Sequence, residues 1–127
     1  MKESQEAKGP QVILKIENLL IEVMKTLRNY PKVERYTLAE RTEKILLDAT
    51  ENVFFASYNA RTRIERLKEA RTQFQMAGFL LRIAKRQGFI SEGFYEKVTY
   101  DLIEVGKMIS GWLKTCESSS GSYGKSL

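Results

Sequence analysis

The stretch NYPKVERYTLAERTEKI, residues 29–45, decides how the chain is to be read. Pro31 disfavours helical geometry at Tyr30 and so stops one helix. Thr37-Leu38-Ala39-Glu40 matches the capping box, in which the Thr hydroxyl and the Glu carboxylate satisfy the free backbone donors of a new helix. A stop followed at once by a start joins two helices through a short loop. The loop's charges look local: Glu34 can pair with Arg35 or Lys32, and Tyr30 and Tyr36 can cover the bundle end with their rings.

Outward from this stretch, apolar residues recur at spacings of three and four, which puts them on one face of a helix. Upstream, Val12, Ile16, Leu19, Leu20, Val23 and Leu27 predict a helix over 11–29, with Pro10 suited to its first position. Downstream, Leu38, Ile45, Leu46, Ala49, Val53 and Ala56 predict a second over 38–59, closed by Asn59, a residue that tolerates left-handed geometry. Thr62-Arg63-Ile64-Glu65 repeats the capping box. Ile64, Leu67, Ala70, Phe74, Ala77, Leu81 and Ala84 follow it on a third helix over 63–87, stopped by Gly88. Ser91 suits the cap of a fourth over 92–116, whose stripe is Phe94, Val98, Leu102, Val105, Ile109 and Trp112.

Four helices with short connections predict an all-α, antiparallel four-helix bundle over 11–117, because short loops make sequence neighbours spatial neighbours. Residues 1–10 are expected to be flexible, and the low-complexity SSSGSYGKSL, residues 118–127, to be disordered. The 127 residues suffice for one domain.

Composition narrows the function. There is no histidine and one cysteine, Cys116. The commonest metal ligand and general base is therefore missing, and no internal disulfide can form. No Gly-rich phosphate loop, Glu-x-x-His pair or Cys-x-x-Cys occurs, and pairs such as Glu40 with Lys44 read as surface ion pairs at helical spacing. These absences predict a non-enzymatic protein without cofactor or metal. The opening MKESQEAKGP has no apolar core of the export-signal kind, and no run approaches a membrane span. A cytoplasmic protein is expected.

Charge is uneven. The chain carries 21 Lys and Arg against 16 Asp and Glu. Residues 61–86 alone hold eight basic residues (Arg61, Arg63, Arg66, Lys68, Arg71, Arg82, Lys85, Arg86) against two acidic ones, leaving the rest near neutral. At about 100° per residue, Arg61, Lys68, Arg71, Arg82 and Arg86 fall along one flank of the third helix. Arg61, Arg63 and Arg66 crowd the positive end of its dipole, which suggests an anion there. Arginine's bidentate fork suits phosphate. The eight are candidates for binding nucleic acid or a nucleic-acid enzyme through charge and shape; an acidic protein would use the same side chains.

A second group lies off the core stripes: Leu14, Ile21, Leu47, Phe54, Phe55, Met76, Phe79 and Ile83. A monomer would leave many of them wet, so they are candidates for a subunit interface. Trp112 and Phe94 read as core residues, and Cys116 as a small half-buried hydrophobe.

YPKVERYTLAERTEKI resembles the loop signature of small bacterial four-helix-bundle proteins. These include the ribosomal intervening-sequence proteins and the accessory variability determinant proteins of diversity-generating retroelements. LLRIAKRQGFIS and LIEVGKMISGWLK resemble the second branch, and the likeness covers residues 12–116. It implies a ring-like homopentamer, basic in character, that associates with the retroelement reverse transcriptase and its template RNA while adenine-mutated cDNA is made. In that pattern Arg82 and Arg86 match the family's basic helix-three positions, and Gly106 and Gly111 its small helix-four positions. A structural interaction protein of the intervening-sequence kind, docking an acidic partner, and an adenosyltransferase-like enzyme on the same bundle are the other readings.

Overall fold

A computed structural model describes the backbone of residues 4–125 and the side chains of residues 9–118. Four long helices account for nearly all of it: α1 (Ser4–Leu27), α2 (Glu40–Tyr58), α3 (Arg63–Arg86) and α4 (Glu92–Lys125). The described residues contain no strand, and no helix among them is long and apolar enough to cross a membrane. In the all-α antiparallel bundle, α1 packs against α2 and α4, and α3 packs against the same two from the other side.

The core follows the periodic stripes. Val12, Ile16, Leu19, Val23 and Leu27 of α1 meet Leu46, Ala49, Val53 and Ala56 of α2, with Leu67, Ala70, Phe74, Ala77, Leu81 and Ala84 of α3. Val98, Val105, Ile109 and Trp112 of α4 close it, and Trp112 is wholly buried. Leu38, Ile45, Ile64, Phe94 and Leu102, expected on the stripes, are half-buried at its margin. Cys116 of α4, expected to be half-buried, is buried.

The starts of α3 at Arg63 and α4 at Glu92 are as predicted; those of the first two helices differ. α1 does not begin at Gln11: the chain is helical from Ser4, and Pro10 lies inside the helix. An interior proline withholds a backbone donor and costs about 3 kcal/mol. One residue earlier the helix backbone packs closely on its neighbours. Gly9 is buried so closely against α2 that a Cβ there would collide with the Ser57 hydroxyl and lie 3.3 Å from the Trp112 ring. The flexible segment expected at 1–10 therefore lies partly in a helix and partly outside the described residues. At the other end α4 runs past 116 to Lys125; side chains of the expected tail beyond 118 lie outside the described residues.

Neither capping box forms. After Pro31 the chain turns helical at once through Lys32–Glu34, then widens into a π-helical turn, Arg35–Ala39, that feeds directly into α2. Thr37 sits inside that turn, and its hydroxyl donates to Glu34 Oε1 at 3.1 Å. Arg35 donates to the Tyr30 carbonyl at 3.1 Å and leaves Glu34 to the threonine. The two tyrosines part company: Tyr36 is exposed, whereas Tyr30 is buried against Phe89, with ring centroids 5.6 Å apart. Burial pushes the Tyr30 hydroxyl up to about 12, and it has no hydrogen-bond partner among the described residues.

At the α2–α3 turn, Asn59 is extended rather than left-handed, and its side chain accepts from the Arg61 N–H at 3.1 Å to cap the 3-10 turn Ala60–Thr62. Thr62 precedes α3 without capping it. The α3–α4 connection matches the prediction. Gly88 takes φ +82°, the Phe89 N–H reaches the Ala84 carbonyl and the Gly88 N–H the Lys85 carbonyl, closing α3 in a Schellman motif. Ser91 Oγ then accepts from the Phe94 N–H and caps α4.

Candidate nucleic-acid interface

α3 carries the charge excess, and its two seams treat its arginines in opposite ways. On the α2 side, Arg63 reaches back to the end of the preceding helix. Its Nε donates to the Ala56 carbonyl at 2.7 Å and its Nη2 to the Ser57 carbonyl at 3.3 Å, with the guanidinium 5.7 Å from the Trp112 ring. Those carbonyls belong to the last turn of α2, where the dipole is negative and acceptors are unfilled. Arg66 donates to Asn52 Oδ1 at 2.9 Å and lies over Phe55 at 4.8 Å; Asn52 in turn donates to Gln73.

The crowding at the positive end of α3 thus has a local explanation. Arg63 serves the negative end of α2 and Arg66 the Asn52 side chain, so the anion expected at this helix start is not required to engage them. Arg61 is exposed there.

On the α4 side the arginines border an open groove. Arg71 is half-buried and donates to Ser110 Oγ at 3.2 Å. Arg82 is exposed, its guanidinium 5.4 Å from the Phe79 ring. Arg71, Gln75, Gly78, Phe79 and Arg82 form one wall of an open groove of about 600 Å³; Tyr95, Thr99, Ile103, Gly106 and Lys107 form the other. Among the described residues no carboxylate lines it, although Lys107 pairs with Glu104 at 3.9 Å. Lys107 lies outside the charge-rich segment and follows Asp101 and Glu104 in sequence; only the bundle brings it to the same groove as Arg71 and Arg82.

The groove exists because two glycines face it. A Cβ on Gly78 would meet Leu102 at an ordinary 3.6 Å, and one on Gly106 would meet nothing within 4 Å. Neither glycine is demanded by close contact, and both leave the floor open. Arg82 and Phe79 at its rim join a cation to an aromatic face.

The remaining candidates spread out. Lys68 pairs with Glu117 across the α3–α4 seam at 3.1 Å. Lys85 pairs with Glu92 at 3.7 Å and lies 5.0 Å from the Tyr95 ring, next to the groove's end. Arg86 is exposed on the last turn of α3. The α1–α4 seam, by contrast, is internally neutralised. Lys15 pairs with Asp101, and Lys97 with Glu22 and Asp101. The Glu22 hydrogen bond outweighs desolvation and, with Asp101, raises the Lys97 pKa.

Seven of the eight off-stripe apolar residues are exposed, and Ile83 is half-buried. They do not form one surface. Leu14 and Phe54 line a concavity between α1 and α2 with Tyr58, whose ring stands 5.2 Å from Phe54. Met76 and Ile83 line another between the π-helical turn and α3. Phe79 belongs to the α3–α4 groove, Ile21 to the α1–α4 seam, and Phe55 lies under Arg66. Leu47 is exposed on α2. Ile103 and Tyr100 of α4, both exposed, were not among the predicted residues.

A family model described as bAvd-like matches residues 12–116. No curated protein and no solved structure matches the chain.

Proposed function

The chain belongs to the bAvd-like family of bacterial accessory variability determinants, and from that premise we propose that it binds nucleic acid together with the reverse transcriptase of a diversity-generating retroelement. In this reading it is a non-enzymatic, cytoplasmic accessory subunit that supports mutagenic cDNA synthesis and works as a homopentamer. The observation that carries the nucleic-acid part is the α3–α4 groove, bordered by Arg71, Arg82 and Lys107 and lined by no carboxylate among the described residues; Lys107 pairs with Glu104 just outside it at 3.9 Å, an exposed contact that water screens. Such a field attracts a polyanion and holds it through phosphate contacts, independent of base sequence.

The ring draws support from the scattered apolar patches. A two-fold dimer needs one self-complementary surface, whereas a closed ring needs two different ones, and exposed apolar residues occur on more than one face.

Titrating the purified chain with labelled single- and double-stranded oligonucleotides at several salt concentrations tests the reading. Affinity is expected to fall linearly with salt on logarithmic axes. A flat response, or no binding at low salt, would count against it and favour an acidic protein as the groove's occupant. Co-purification with the reverse transcriptase tests the second partner. Light scattering tests the ring, and a monomer at micromolar concentration would remove it.

A further inference from the structure

Resting on the nucleic-acid reading above, we propose that the α3–α4 groove selects single-stranded nucleic acid, seating an unpaired base on its apolar floor while adjoining phosphates meet Arg71, Arg82 and Lys107. A surface that only held phosphates would need cations and nothing else. This one has a wet apolar floor between its cations: Phe79 is 45% and Ile103 52% exposed, and both face the groove beside half-buried Leu102. Gly78 and Gly106 keep that floor uncovered although the space admits side chains.

The dimensions suit a strand. Arg71 and Arg82 are three helical turns apart, about 16 Å along α3, long enough to meet more than one phosphate. The volume, about 600 Å³, is that of a cleft holding a small organic molecule, which a base and its sugar resemble. Unpaired bases stack on aromatic rings and on guanidinium planes, and Arg82 over Phe79 offers both at one rim. Gln75 and Thr99 on the walls can meet base edges. A duplex keeps its bases stacked inside and shows the groove only its backbone. An acidic amphipathic helix would also answer the charge, but its apolar face would bury Gln75 and Thr99 unpaired.

The test uses fluorescence anisotropy on the full chain with a short oligothymidylate, a base-less strand of equal length, and a duplex. The single strand is expected to bind about tenfold tighter than the base-less strand, the effect of one base stack. Gly106→Leu, which fills the groove and raises helix propensity so that folding is retained, is expected to shrink that ratio towards one. Phe79→Ala should shrink it as well. Equal affinity for the base-bearing and base-less strands, or a ratio unmoved by Gly106→Leu, would overturn base seating while leaving phosphate binding intact. Failure to bind any of the three, with capture of a Glu-rich amphipathic peptide instead, would overturn both readings.

Discussion

The two seams of α3 hold the same residue type to different ends. Facing α2, Arg63 and Arg66 turn inward and fill the acceptors of the neighbouring helix end and of Asn52. Facing α4, Arg71 and Arg82 border an open groove with Lys107. What separates them is the neighbour. The first seam offers unfilled carbonyls, whereas the stretch of the second that faces Arg71 and Arg82 offers Gly106, Ser110 and, among the described residues, no lining carboxylate. A count of arginines along a helix therefore measures charge without saying which charges are available to a partner.

Substitutions on the two sides should separate cleanly. The largest effect is expected at Arg63: its replacement by Ala removes two hydrogen bonds to carbonyls at the end of α2 and a cation over Trp112. Denaturant unfolding should show a loss of about 2–3 kcal/mol. Nucleic-acid affinity per folded molecule should hold. Arg66→Ala should follow at about 1–2 kcal/mol, since it strands the Asn52 carbonyl oxygen and uncovers Phe55.

On the opposite seam the sign reverses. Gly106→Ala should stabilise the chain by about 0.5–1 kcal/mol, because the helix gains propensity and the new methyl meets nothing. Gly9→Ala is the counter-example within the same fold: its Cβ collides with Ser57, so that variant should lose stability. The smallest stability change belongs to Arg82→Ala, within about 0.5 kcal/mol. Loss of stability in Arg82→Ala comparable to that in Arg63→Ala would erase the distinction between the seams.

Much of the fold was legible because its causes are local. The apolar stripes set four helices, Pro31 and Gly88 mark real interruptions, and Ser91 caps α4 as its position suggests. Where the structure departs from that reading, the causes are of two kinds, one distant and one local. Pro10 lies inside α1 beside Gly9, which packs against Ser57 and Trp112, residues far away in sequence. Thr37 has every local feature of a cap, yet the helix had already begun at Lys32, leaving its hydroxyl to Glu34.

The groove was half legible. Arg71, Arg82 and Phe79 were singled out from charge and exposure, but as members of two separate surfaces, one for charge and one for apolar contact. That they share a single groove follows from the α3–α4 crossing. Lys107, Ile103 and Gly106 join them only in three dimensions. Nor could any pattern within α3 reveal that Arg63 reaches the end of α2, since that depends on the tight turn between the helices.

The central claim is that the α4-facing arginines are the ones a nucleic acid meets. Its most direct test is the salt dependence of oligothymidylate binding, measured side by side for the natural chain, Arg82→Ala and Arg63→Ala. Each lost phosphate contact on a single strand should flatten the slope of log affinity against log salt by about 0.7. Arg82→Ala is predicted to show that flattening, and Arg63→Ala to keep the natural slope. An unchanged slope in Arg82→Ala, or the flattening in Arg63→Ala instead, would contradict the account.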